Sequence, residues 1–268
     1  MAIFLTPDKT ITLTVGGKTL MVNQKIIPDS LRAEKDVASY VKKGQPMKPC
    51  APVGTAGKPM GITVHNTDDI KVAAGTNAAE QYSRATYNGN MRGVVVHYYV
   101  WKNEIWQTLR LNERGWHAAD GKSRRAGRRP GQRIGGNLDT IAIEAIGPSK
   151  ETEATTALLC AWLCREFGLD PALDIWQHWD FSGKNCPLYI RPHWKQFLEA
   201  VTENGKAPEP EEITHTVKQD DTLWALAVRY LGNGRRWHEI QALNGGIDPR
   251  KLRVGMILKI PCEKEAKQ

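Results

Sequence analysis

An imidazole at His178, an amine at Lys184 and a thiol at Cys186 fall within one short stretch, His178-Trp179-Asp180-Phe181-Ser182-Gly183-Lys184-Asn185-Cys186-Pro187. Imidazole nitrogen and thiolate sulfur are the donors zinc prefers, and a catalytic zinc takes three protein ligands while keeping one position for water. The stretch supplies two of the three, so the third must come from elsewhere, from a strand end facing it. His65, in Gly61-Ile62-Thr63-Val64-His65-Asn66-Thr67, is the best candidate, because an apolar strand there runs out into a polar turn. The bland alternative is a structural histidine and an unrelated buried cysteine. Glu144 is a further candidate, since it interrupts the β-branched and apolar run Thr140 to Ile146. A carboxylate in such a strand is costly unless it meets a cation or metal, or is held protonated. That cost favours a working residue.

These groups need elements to position them. Residues 11–23 alternate apolar and polar around Gly16-Gly17, the pattern of a β-hairpin. Asp29 to Lys43 reads as a helix capped near Asp29 or Ser30, and Gly44 to Lys58 as a Pro/Gly-rich loop. After the His65 strand, Thr76 to Tyr87 has helical character. Gly93 to Trp101 reads as a strand, followed by a second at Ile105 to Leu109 across a Lys102-Asn103 turn. His97, inside the first of these, is expected to be buried and hydrogen-bonded; as a fourth ligand it would close the water position. Lys122 to Arg133 holds six basic residues without an apolar period. It is either a solvated loop or a flexible basic flap that holds anionic polymer at the site's mouth. Glu151 to Phe167 forms a helix whose Cys160 and Cys164 share one face and are expected to pack in the core. Asp174 to Gln177 is a short strand into His178, and Arg191 to Ala200 an amphipathic helix. Thr202 to Ile213, rich in Pro and Glu with little to bury, marks a linker.

Composition sets outer bounds. A chain of 268 residues accommodates one sizeable domain and a small one. No run reaches the apolar length that spans a bilayer, so no membrane partner is expected. Five cysteines are an odd number, spaced as neither a disulfide framework nor a zinc ribbon. The net charge of +8 points to an anionic partner. Charge alone does not choose between wall polymers and nucleic acid, and no specific nucleic-acid partner is expected.

Four segments carry a resemblance: Thr63 to Thr67, Arg114-Gly115-Trp116-His117-Ala118, Thr140 to Glu144, and His178 to Pro187. In this order they resemble the zinc-dependent N-acetylmuramoyl-L-alanine amidases, the family shared by amidase-type phage lysozymes and peptidoglycan recognition proteins. The likeness spans roughly residues 60 to 198 and implies an α/β fold, a mixed central β-sheet flanked by helices. It makes His65, His178 and Cys186 the ligands of Zn2+, with cysteine where some members carry aspartate. It places Glu144 and Lys184 in catalysis and Trp116 and His117 along the substrate cleft. Some members use a tyrosine just before the histidine of the central strand; Val96 stands there, so Glu144 carries more of the burden.

Residues 214 to 261 resemble the LysM carbohydrate-binding module, a small βααβ unit, through Asp221-Thr222-Leu223-Trp224, Asn244 and Gly255 to Pro261. That likeness places sugar contacts at Asp221, Thr222, Gly246 and Ile247, and treats Trp224 and Leu258 as packing residues. The implied organisation is an N-terminal hairpin/helix elaboration at 1–58, the catalytic domain at 59–201, a linker at 202–213 and the LysM domain at 214–262. The implied reaction cleaves the amide between N-acetylmuramic acid and the L-alanine of the stem peptide. The partner is bacterial peptidoglycan, both muramyl peptide and N-acetylglucosamine-containing glycan, with anionic wall polymers as a further expectation. Met1 to Asp8 lacks the charged start and apolar core of a secretory signal. A phage or prophage endolysin, held in the host cytoplasm until a holin releases it, is therefore expected. Two rivals stand beside this reading. One is a non-catalytic peptidoglycan-binding protein. The other is a muramidase, which needs two carboxylates flanking a sugar bond, and only Glu144 has a suggestive environment.

Overall fold

Strands 61–67 and 140–146 are buried on both faces almost throughout, as expected for strands covered from both sides. The computed structural model describes residues 4–28, 52–91, 93–206 and 211–262. It divides into two compact units, Met1–Ala207 and Pro208–Gln268.

The first unit contains β1 (Lys9–Val15), β2 (Lys18–Gln24), β3 (Gly61–Thr67), α1 (Ile70–Ala73), α2 (Ala78–Tyr87), β4 (Tyr98–Trp101) and β5 (Glu104–Gln107). These are followed by β6 (Arg125–Ala126), β7 (Arg133–Ile134), α3 (Gly136–Asp139), β8 (Thr140–Ile146) and α4 (Lys150–Phe167). Then come α5 (Pro171–Asp174), β9 (Ile175–Gln177), α6 (His178–Ser182) and α7 (Trp194–Gly205). Among the described residues, seven strands form one sheet in the order β1-β2-β5-β4-β8-β3-β9. β4, β8, β3 and β9 are mutually parallel, whereas β1 with β2 and β4 with β5 are antiparallel hairpins.

The pleat sorts side chains to two cores. Ile62 and Val64 of β3 and Ile141, Ile143 and Ala145 of β8 pack on one face, with α4 and α7 over them through Leu163, Phe197 and Val201. Ala142 and Ile146 of β8 turn to the other face, against Ala78 and Ala79 of α2. His65 and Glu144 belong to that second face by the same alternation, and they stand opposite each other in the β3–β8 register. Helix α4 is fixed at both ends: the Ser149 side chain accepts the Thr152 N–H, and Gly168 takes the left-handed conformation that ends it. Cys160 and Cys164 are buried in its core face, as read from their spacing.

Three expectations need correction, and a fourth falls on residues outside those described. The residue 11–23 hairpin is no separate elaboration: β2 pairs in parallel with β5, which makes β1 and β2 strands of the central sheet. The expected helix at 29–43 lies outside the described residues. The long strand at 93–101 is cut to Tyr98–Trp101, because Val95 turns aside to bridge Trp116. Finally, the basic stretch is not a free flap. It folds as the β6–β7 hairpin, and Arg124, Arg128, Arg129 and Arg133 all bond to protein groups.

The second unit has β10 (Glu211–Thr216), α8 (Leu223–Leu231), α9 (Trp237–Leu243) and β11 (Ile257–Cys262). β10 and β11 pair antiparallel, giving the βααβ order read from the sequence. Leu223, Leu226, Ile240, Leu258 and Ile260 form its core. Leu258 packs as expected, whereas Trp224 stands half exposed.

Candidate metal centre

The open cleft lies beyond the C-terminal ends of β3, β8 and β9, the place where parallel sheets present their ligand sites. It encloses about 620 Å³ and is lined by His65, Tyr82, Trp116, His117, Glu144, His178, Lys184 and Cys186, among others. Each expected residue of the catalytic unit therefore reaches one cavity. β3 delivers His65 at its polar end, β9 leads directly into His178 as the first residue of α6, and Cys186 follows in the next loop.

The donor atoms converge. His65 Nδ1 lies 3.1 Å from His178 Nδ1 and 3.9 Å from Cys186 Sγ. The ligand atoms of all three lie within 4.8 Å of one another, and all three residues are buried. Two ring nitrogens in a tetrahedral zinc shell sit about 3.4 Å apart, from zinc–nitrogen bonds of about 2.05 Å. The spacing therefore suits a small cation that accepts from all three. Burial and neighbouring groups together keep the nitrogens unprotonated, the form a metal needs: burial drives His65 well below the ordinary histidine value, with the His117 and His178 rings adding to it. Burial, then Lys184, lowers His178 to about 4. The Cys186 thiol is pushed up to about 12, first by burial and then by Glu144, while the Asn66 N–H and Lys184 oppose. Metal uptake must therefore release the thiol proton.

The surrounding shell orients these donors. His65 Nε2 lies 3.0 Å from His117 Nδ1, so the ring's far nitrogen has a partner when Nδ1 faces a cation. His117 is itself placed by Asn137, whose Oδ1 accepts the His117 and Ala118 N–H groups at 2.7 and 2.8 Å. Gly115 permits this approach: a Cβ there would fall 2.7 Å from the His117 ring and 2.9 Å from the Val95 carbonyl. Asn66 donates its backbone N–H to Cys186 Sγ at 3.5 Å. Its side chain ties the end of β8, through Ala145 and Gly147, to Tyr189. His97 is fully buried, accepting the Ala142 N–H on Nδ1 and donating from Nε2 to Glu113; it faces no ligand.

Glu144 lines the same cleft. Burial raises its carboxyl to about 8, and the Lys184 ammonium pulls it back down. Lys184 itself is exposed on the loop between His178 and Cys186, and its charge also lowers His65 and His178. Sequence reading missed Tyr82, whose hydroxyl bonds Asp69 and Thr67 at the cleft wall. It sits on a helix far from the ligand-bearing segments, and nothing in its neighbours marks it. In the second unit, the Asp221 carboxylate binds His215 Nε2 at 2.7 Å and the Lys218 N–H, and Thr222 caps α8. Gly246 takes a left-handed turn after α9, and Ile247 packs against that unit's core.

A family model described as N-acetylmuramoyl-L-alanine amidase matches residues 55–189, and one for the LysM domain matches 215–261. The chain is 31% identical over 219 residues to the N-acetylmuramoyl-L-alanine amidase XlyA of Bacillus subtilis (strain 168), covering 80% of this chain and 65% of that one. It is 30% identical over 213 residues to XlyB of the same organism, covering 75% and 62%. It thus spans just under two thirds of the length of these curated relatives. The solved catalytic domain of XlyA superposes with a TM-score of 0.50 at 26% identity, over 67% of this chain and 98% of that domain. A mutant endolysin from Bacillus subtilis superposes equally well, at 27% identity over 68% and 99%.

Proposed function

Because the chain belongs to the N-acetylmuramoyl-L-alanine amidase family, we propose that it hydrolyses the bond between the lactyl group of N-acetylmuramic acid and the L-alanine of the stem peptide. The observation that carries this reading is the convergence of two imidazoles and a thiol beside a buried carboxylate in one open cleft.

His65, His178 and Cys186 would hold the zinc. When bound, zinc supplies a Lewis acid that polarises a carbonyl and makes a water acidic at neutral pH. Glu144 takes the proton of the attacking water and returns it to the leaving amine, base first and acid second. Its raised pKa suits the second role, and the Lys184 charge favours the ionised form needed for the first. Lys184 faces the oxygen that gains negative charge as the carbonyl becomes tetrahedral. Trp116 and His117 wall the cleft against the muramyl peptide.

The LysM unit would hold N-acetylglucosamine-containing glycan through the loops bearing Asp221, Thr222, Gly246 and Ile247. The net charge of +8 favours approach to anionic wall polymers, with exposed Lys122 among the contributing cations. No helix among the described residues is long and apolar enough to cross a membrane. Action as a phage-type endolysin, released to the wall through a holin, accords with the endolysin-like neighbours.

Digestion of purified peptidoglycan, with and without a strong zinc chelator, tests the reading. New alanine amino termini that vanish with chelator and return with zinc are expected. New reducing sugar ends instead would make the protein a glycosidase. Retention on the wall with neither product would make it a binding protein.

A further inference from the structure

Three arginines of the β6–β7 segment, Arg124, Arg128 and Arg129, each reach toward an element of the site. Arg124 forks onto Asp139 at 2.7 and 2.8 Å. Asp139 is fully buried, also accepts the Gly135 N–H, and immediately precedes β8, the strand of Glu144. On the opposite side Arg129 forks onto buried Asp174, at 3.2 and 2.6 Å, the last residue before β9.

Arg128 does more. Its guanidinium carbon lies 4.0 Å from the centroid of the Trp176 ring in β9. Nη1 donates to the carbonyls of Ala172 at 3.2 Å and Ile175 at 2.7 Å. Nη2 donates to Asp180 Oδ2 at 3.2 Å, the oxygen that also accepts the Gln177 N–H at 2.8 Å. That Gln177–Asp180 bond satisfies a backbone N–H at the start of α6, whose first residue is His178. Among the described residues, β9 is a three-residue edge strand whose ladder runs to β3. So short an edge strand has little of its own to fix its exit, and an unpaired edge needs cover. One planar cation bonds a β9 carbonyl, stacks on the β9 tryptophan and grips the first turn of α6.

We infer that Arg128 is the positioning residue of His178: it clamps β9 to the start of α6 and so fixes the direction in which the His178 ring enters the metal site. The inference rests on the zinc reading above. Lysine cannot substitute, because a single ammonium cannot stack flat on Trp176 while forking to two acceptor sets.

The test uses the full chain and zinc itself, with affinity measured by competition against a chromophoric chelator and ligand geometry read from the visible absorption of the cobalt(II)-loaded protein. Arg128→Ala is expected to weaken zinc binding by about 10- to 100-fold, the usual effect of removing support behind a ligand. It is also expected to alter the cobalt bands, while circular dichroism of the metal-free chain shows the fold retained. Arg128→Lys is expected to recover little of the loss. Arg125→Ala, on the same hairpin but making none of these contacts, is expected to bind as the parent does. If Arg128→Ala fails to fold, Arg128→Lys carries the comparison. Parental affinity, within about twofold, and an unchanged cobalt spectrum in the folded variant overturn the inference. A parent chain that takes up no zinc removes the zinc reading and this inference with it.

Discussion

Glu144 is the residue on which stability and catalysis pull in opposite directions. Its carboxyl is raised by burial from 4.5 to about 8, so the metal-free fold prefers the protonated form. The stabilising share of that preference is complete below the ordinary value of 4.5 and is lost as the pH rises through about 8. Glu144→Gln mimics the protonated acid. It is expected to raise the melting temperature of the metal-free chain strongly at pH 9 and far less at pH 5, as read by scanning calorimetry. An equal effect at both pH values would mean a solvated carboxylate. The same substitution is expected to lower amidase turnover by about 10²- to 10⁴-fold while zinc stays bound, since it removes the proton acceptor alone. At this scale the grouping of His65, His178 and Cys186 was legible through the family resemblance, whereas residue types and spacing alone left a structural histidine and an unrelated buried cysteine open. Asn66 and Arg128 were not legible. They act through partners 79 to 123 and 44 to 52 positions away, and no local pattern encodes those pairings.

At the scale of elements, the N-terminal hairpin shows where sequence reading stops. Its alternation around Gly16-Gly17 marks two strands and their turn, and both are present. Its docking onto β5 joins residues more than eighty positions apart, a non-local pairing that alternation cannot announce. The consequence is mechanical coupling. Leu20 is buried in the main core with Val22 and Ile105. Leu20→Ala is expected to destabilise the catalytic unit by about 2–5 kcal/mol. The loss should appear in the unit's single denaturant transition, followed by tryptophan fluorescence and circular dichroism together. A separate early transition for the hairpin would contradict its place in the sheet. The strand at 93–101 was over-read for a related reason: Val94, Val95 and Val96 have strand composition, but Val95 spends its backbone bonds on Trp116.

At the scale of the whole molecule, the described residues form two units with separate cores, and the proposed cutting and anchoring divide between them. Removing residues 208–268 is expected to leave cleavage of a soluble muramyl peptide near the parental rate and to lower solubilisation of intact sacculi several-fold. Amino-terminus release on both substrates measures the split. Equal loss on both would mean that the second unit supports the catalytic fold itself. The division into two units was readable from the Pro- and Glu-rich segment, but the linker expected at 202–213 was drawn too wide: α7 runs on to Gly205 and β10 begins at Glu211.

The parallel run of β3, β8 and β9 has a consequence for inheritance. His65 and Glu144 are locked side by side by the β3–β8 ladder, and β9 leads into His178 beside them. The rim of the cleft comes instead from segments outside the strands, at Asp68, Met91, Val94, Asn185 and Leu188. Substitution at the rim can therefore change what the cleft accepts without disturbing the register that keeps the reactive groups together. On the proposed reading, a library confined to those rim positions would sample new wall chemistries for one preserved reaction.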